Sequence, residues 1–143
     1  MAGEPNADTF IASGFGGTVE YAVRNSGSME AKEWLESQPA GVQSSFDHLF
    51  RYLAANGPLF PNKEQFKKVG GMEDVWEFKR GGRLGNRLFV FHHGRRWLVT
   101  HPYKKGHSKN HQTTAAKHAI TIAAEQLARE VAAIKRQHRR DAK

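Results

Sequence analysis

The chain contains no cysteine, which excludes disulfides, thiolate zinc sites and a cysteine nucleophile. It has no apolar run approaching the roughly 18 residues that a membrane-spanning helix needs, so no membrane association is expected. Its opening residues, MAGEPNADTF, carry neither the basic nor the apolar stretch of a secretory signal, and a cytoplasmic location is the expectation. Carboxylates are scarce in the second half. Residues 73–143 have 6 Asp or Glu against 16 Lys or Arg, whereas residues 1–72 have 8 against 6. The net charge of +8 therefore sits almost wholly in the second half, and it points to a polyanionic partner.

What remains is enough for one core. The 143 residues are 38% hydrophobic, with 3 Trp, 3 Tyr and 9 Phe, which suits a single folded domain over residues 18–143. Residues 1–17 are small, polar and glycine-rich and read as a flexible arm. Residues 18–23 alternate as a half-buried strand does. Ser28 is a candidate N-cap for a helix over 29–37, which Pro39 ends. Val42, Phe46, Leu49, Phe50 and Leu53 recur at helical spacing over 41–55, and Asn56-Gly57-Pro58 stops that helix. Residues 58–74 read as a long connection with a short helical turn near 63–68.

Strand signals follow at 75–79, 87–92 and 97–101, joined by short turns, which predicts an antiparallel meander. A basic, His-rich loop over 102–112 leads to a final helix from Thr113 or Thr114 to about residue 138. In that helix Ala116, Ile120, Ala123, Leu127, Val131 and Ile134 form an apolar stripe. Helices first and strands after imply an α+β fold, a small, mostly antiparallel sheet with two N-terminal helices packed on it and a long C-terminal helix.

The chemistry-bearing residues lie between Lys79 and His111. Lys79, Arg80, Arg83, Arg87, Arg95, Arg96, Lys104, Lys105 and Lys109 stand among His92, His93, His101, His107 and His111, with Glu77 as the one acid on the predicted strands. Paired-carboxylate glycoside chemistry and a carboxylate-held magnesium are both starved of ligands. Metal-free RNA cleavage suits the set better. The ribose 2′-OH is then the nucleophile, imidazole near its ordinary pKa of about 6.5 moves protons, and cations neutralise the charge that builds on phosphorus. A lysine crowded by other cations can serve as a base. Strand alternation puts Val75, Glu77 and Lys79 on one face, Arg87, Phe89 and Phe91 on one face, and Trp97, Val99 and His101 on one face. Trp76, Phe78, Leu88, Val90 and Leu98 read as core.

The segments VWEFK, RLFVF, WLVT and YKKGHSK, in this order and followed by a helix, resemble the core of the RelE/HigB-type toxins of bacterial toxin–antitoxin modules, within the RelE/ParE superfamily. The strand VEYAV, the helix MEAKEWLES and the stretch YLAANGP are similar to that family's opening, so the likeness covers about residues 18–127. The resemblance implies a RelE-like fold and a metal- and cofactor-independent mRNA endoribonuclease, an mRNA interferase acting on ribosome-bound mRNA. A cognate antitoxin would neutralise it, and the toxin–antitoxin complex would bind operator DNA through the antitoxin. Carried over by position, Lys79 and Arg87 fall on the catalytic strands, Arg87 at the scissile phosphate, and Lys105 falls in the loop that supports the transition state. His111 stands where some members have a proton-donating Tyr, with His107 as competitor. Arg80, Arg83, Arg95, Arg96, Lys104 and Lys109 would hold RNA. The loop departs from the family pattern in carrying two His where Thr or Ser, Lys and Pro are usual.

Blander readings stand beside these. His107 and His111 are spaced for zinc only if helical, and Lys105 and Lys109 would repel a dication. Residues 135–140 suit a solvated helix end, His92-His93 suits an exposed turn, and Lys63, Lys67 and Lys68 suit plain surface. Two other functions stand beside the nuclease: a ParE-like gyrase inhibitor, which shares the fold but needs no cationic pocket such as Lys79, Arg87, Lys105 and His111 would form around a phosphate, and a basic nucleic-acid-binding module without activity. If Arg87 only contacts phosphate, Arg87→Ala is expected to abolish toxicity with the fold retained.

Overall fold

In a computed structural model of the chain, which describes residues 8–80, 85–104 and 109–142 (backbone alone for 104 and 109–112), six strands and three helices form one α+β layer structure. In chain order these are β1 (Phe10–Gly14), β2 (Gly17–Tyr21), α1 (Glu30–Glu36), α2 (Ala40–Asn56), β3 (Phe66–Lys68), β4 (Val75–Arg80), β5 (Asn86–His93), β6 (Arg96–Lys104) and α3 (Lys109–Asp141). They make one sheet in the order β1-β2-β6-β5-β4-β3, antiparallel except where β2 runs parallel to β6. The connection from β2 to β6 contains α1, α2 and three strands, and it is this long excursion that lets the two strands run in the same direction.

The central meander of β4, β5 and β6 is the one the turns predict. Four local expectations differ. Phe10–Gly14 lies within the stretch expected as a flexible arm yet forms an edge strand on β2. The stretch expected as a connection with a helical turn contains β3, whose Phe66 pairs with Phe78 and stacks on Trp76. Ser28 does not cap α1. Its hydroxyl donates to Glu33 Oε2 at 2.8 Å, and that same carboxylate accepts the Met29 N–H at 2.7 Å, so an acid one turn into the helix performs the capping. Finally, α3 begins at Lys109 instead of at a threonine cap.

The sheet has two different faces. One packs Phe78, Leu88, Val90, Trp97 and Val99 against Leu35, Phe46, Phe50 and Leu53 of α1 and α2. The rings meet edge to face, with Phe50 and Phe78 at 5.2 Å, and supply most of the core. The other face receives α3, through Ala116 and Ala119 on Val75 and Phe89 and through Ile122 and Ala123 on Leu98. Polar clasps fix α3 beyond these small contacts. Arg24 grips Glu125 through two N–H groups at 3.0 and 2.8 Å and also reaches Glu30. The Val23 N–H donates to Gln126 Oε1 at 2.8 Å, and Arg96 joins Glu20 and Glu130 at 2.7 Å each. Arg24 draws the Glu125 carboxyl down to about 2.

The turn between β1 and β2 presses on the end of α2. The Gly16 N–H donates to Ala54 O at 2.7 Å, and Gly16 O accepts from Trp97 Nε1 at 2.9 Å. A Cβ at Gly16 would lie 2.2 Å from both Gly57 N and Leu53 O. Gly57 itself sits at φ +77°, the left-handed turn that ends α2. Gly16→Ala is therefore expected to lower stability by about 1–3 kcal/mol, read as a lower urea midpoint at unchanged slope; a midpoint equal to that of the parent chain would show that this turn yields freely.

Candidate functional site

The β4–β5 register sets Lys79 directly opposite Arg87, Glu77 opposite Phe89 and Val75 opposite Phe91, so all six side chains share the face that α3 partly covers. On the next strand out, Lys67 pairs with Glu77 and joins the same face. Three adjacent strands thus bring Lys67, Lys79 and Arg87 together. Two carboxylates hold them. Glu77, with its side chain 1% exposed, accepts from Arg87 Nη1 at 2.6 Å, and the Arg87 side chain is only 6% exposed. Glu64, in the loop before β3, accepts from Lys79 Nζ at 3.0 Å and lies 3.9 Å from Lys67 Nζ. The hydrogen bond from Lys79 holds the Glu64 carboxyl below its usual range. The neighbouring Lys79 ammonium, then burial, pushes the Lys67 ammonium below the usual lysine range. Lys67 is the more open of the two lysines.

Beside this cluster the register of β5 and β6 slips. Phe89 faces His101 and Val90 faces Val99, leaving Thr100 as an extra residue. The slip overturns the expected shared face of Trp97, Val99 and His101. Trp97 and Val99 belong to the α1–α2 core, while His101 stacks on Phe89 at 5.1 Å on the α3 side. His101 Nε2 donates to Ala115 O at 2.7 Å, which makes Nδ1 the acceptor for the Thr100 hydroxyl at 3.0 Å. Burial, with His118 nearby, depresses this imidazole to about 4. His101 is thus a neutral strut beneath α3.

The remaining predicted residues separate into groups. Lys105, His107 and Arg83 lie outside the described residues, as do the side chains of Lys104, Lys109 and His111. The backbone puts Lys104 opposite Asn86, one position beyond the pairing of Tyr103 with Arg87, and places Lys109 and His111 in the first turn of α3. Arg80 falls on the face opposite to Lys79 by alternation. Arg95 and Arg96 do not join the cluster. Six strand positions part Arg87 from His93, the partner of Arg96, about 20 Å at ~3.4 Å per residue. Arg95 donates to Gly14 O and Phe15 O, and Arg96 is spent on Glu20 and Glu130. The His92 ring lies flat on Trp97 at 3.7 Å, more than an exposed turn residue would do. Among the described residues, no three His, Asp or Glu side chains gather as a metal site requires.

Sequence reasoning passed over Lys67 and Glu64 and left Glu77 without a role. The signal for Lys67 was faint, since FKK is a three-residue strand with two exposed positions. The signal for Glu77 was available: a lone acid in an apolar strand, followed on the next strand by a cation of matching parity, is the pattern of a buried pair.

Residues 33–128, about two thirds of the chain, match the family described as phage derived protein Gp49-like (DUF891). Comparison with curated proteins and with solved structures returns no match.

The buried pair corrects the expectation for Arg87→Ala. Removing Arg87 takes from the buried Glu77 carboxylate the counter-ion it holds at 2.6 Å, so the single variant should lose about 3–5 kcal/mol of stability. Glu77→Leu/Arg87→Met should recover most of it, as measured by urea unfolding; equal losses in single and double variants would show that the pair is not the constraint. A second expectation concerns acid. The folded value of His101, about 4, lies below its ordinary 6.5, so the unfolded chain binds the proton more readily. Its stabilisation is complete above the ordinary value and is lost as pH falls towards the folded one. Melting temperature should decline across that window, and His101→Gln should flatten the decline; an identical slope in the variant would assign it elsewhere.

Proposed function

The chain belongs to the phage-derived Gp49-like family, which is associated with toxin–antitoxin modules, and on that premise we propose that it is a toxin: a metal-independent endoribonuclease that cuts ribosome-bound mRNA and is silenced by a cognate antitoxin. The observation that carries this reading is the meeting of Lys67, Lys79 and Arg87 from three adjacent strands on one sheet face.

In the proposed reaction the ribose 2′ oxygen attacks phosphorus. The bond from phosphorus to the 5′ oxygen breaks, leaving a 2′,3′-cyclic phosphate and a free 5′-hydroxyl. Lys79, the less exposed of the two lysines and the closer to Glu64, grips the phosphate oxygens, and its charge counts most as the phosphorane forms. Lys67 holds its proton less firmly than an ordinary lysine, and it is its unprotonated amine that would accept the 2′-OH proton. Arg87 is tied to Glu77, so it keeps positive charge beneath the phosphate without needing to reorganise. His111, from the first turn of α3, is the proposed donor to the departing 5′ oxygen, with His107 as the alternative and Lys105 supporting the phosphate from the loop. Arg80, Arg83, Lys104 and Lys109 are proposed contacts to flanking nucleotides. Arg95 and Arg96 drop from that set, because their donors are engaged at the far end of the sheet.

Primer extension on mRNA in a translating extract tests this reading. Cuts should persist in EDTA, and Lys79→Ala should slow them about 10²-fold while the far-ultraviolet circular dichroism is unchanged, since its partner Glu64 is largely exposed. Cuts abolished by EDTA, or undiminished in the variant, would refute the assignment. Double-strand DNA breaks with gyrase would favour the ParE-like reading instead, and salt-sensitive RNA binding without cuts the inactive module.

A further inference from the structure

Helix α3 extends well past the sheet it packs on. Its buried positions are Ala116, Ala119, Ile122, Ala123 and Gln126. Among the described residues, its last polar ties to the body are Arg129, which donates to Asn25 Oδ1 and Val23 O, and Glu130, which accepts from Arg96. From Val131 to Asp141 the helix then runs on with no side chain buried, a length of about 16 Å. A free helix that short is marginal in water, and this one spends large apolar residues on solvent. Ile120 is 43% exposed, Val131 50% and Ile134 44%.

The exposed apolar positions are ordered. Exposed Ile120, Ala124, Val131 and Ile134, with half-buried Leu127 between them, follow steps of four, three, four and three, the seam spacing by which one helix receives another. The sequence stripe had Ala123 in this row, but Ala123 is buried against the sheet and the exposed Ala124 takes its place. Beside the first part of the seam, at Ile120 and Ala124, lies an open groove of about 700 Å³ that also takes in Ala128 and Ala132 and is edged by the charged Glu125 and Arg129. The charge around the projecting end is one-sided, with Lys135, Arg136, Arg139 and Arg140 against Asp141 alone.

Together these select the occupant. A second copy of the same helix laid parallel would set these cations against one another, an antiparallel copy would find only Glu125 and Glu130, both already held by Arg24 and Arg96, and a bare polyanion would leave the seam in water. We propose that the seam of α3 docks an amphipathic helix whose own apolar heptad seam is flanked by Asp and Glu, and that the antitoxin supplies it; the ownership of that helix rests on the toxin reading, whereas the surface does not. Ala116 packs beside Phe89 in the site cluster's layer, and Ile134 lies 18 positions later, about 27 Å along the axis. The partner is thus anchored well away from the cations that would cut RNA.

The test uses the full chain and two synthetic helical peptides with the same Ile/Leu heptad seam, one flanked by Glu and one by Lys. The Glu-flanked peptide should bind, more weakly at high salt, and the Lys-flanked peptide should not. Val131→Glu/Ile134→Glu should weaken binding at least about tenfold while mRNA cutting and circular dichroism stay unchanged. Equal binding of both peptides, or undiminished binding by the double variant, would overturn the docking surface. So would sedimentation showing self-association of the chain that the double variant abolishes. A chain that cuts mRNA but ignores the Glu-flanked peptide refutes the docking surface alone; one that binds it but never cuts refutes the nuclease alone.

Discussion

Glu77 is a carboxylate with 1% of its side chain in contact with solvent, and it keeps Arg87 at 2.6 Å. A charge cannot stay in such a place unless its counter-ion is delivered by the surrounding strands. Delivery here depends on register. Because β4 and β5 pair so that Glu77 faces Phe89 and Lys79 faces Arg87, the cation reaches the acid diagonally across one face. A slip of one residue would turn Glu77 into the aromatic core beneath α2 and Phe78 out of it. The pair therefore acts as a register lock, and the positions of Lys67 and Lys79 follow from it.

The two faces of the sheet divide the work. The face under α1 and α2 is filled by aromatic rings and carries the cohesion of the domain. The face under α3 sets Val75, Phe89 and Leu98 against small residues of the helix and is fastened by polar clasps, with Lys67 and Lys79 on the same face. The extra residue at Thr100 contributes to this division by sending His101 to the α3 side while Val99 stays in the core. Much of the positive charge that dominates the composition is spent on fastening: Arg24 and Arg96 are structural rivets to Glu125, Glu30, Glu20 and Glu130. Net charge alone would have counted them towards a nucleic-acid surface.

How much could be read in advance follows from what makes each element. The helix of Phe46, Leu49, Phe50 and Leu53 and the meander were legible, because periodicity reports which side of an element is buried, and so were the faces of Lys79 and of Arg87 on their own strands. Phe10–Gly14 was not, since FIASG owes its strand state to β2 and to contacts with the end of α2 rather than to its own composition. Phe66–Lys68 was hidden for a similar reason: three residues have no period, and Phe66 is held by Trp76 and Phe78. The bulge at Thr100 has no sequence signature here and reversed the side assigned to His101. At the site, the resemblance singled out two of the three cations, but burial of Arg87 against Glu77 depends on tertiary packing that spacing does not encode.

The parallel pairing of Thr18 with Arg96, 78 positions apart, bears on how the molecule comes into being. The first hairpin has no sheet to join until β6 has been made, and β6 lies between it and every later strand. Closing so long a loop must precede the contacts that reward it. A chain leaving the ribosome therefore holds its first hairpin apart from the sheet until β6 has emerged, whereas the cationic face on β3, β4 and β5 pairs from neighbouring segments before that.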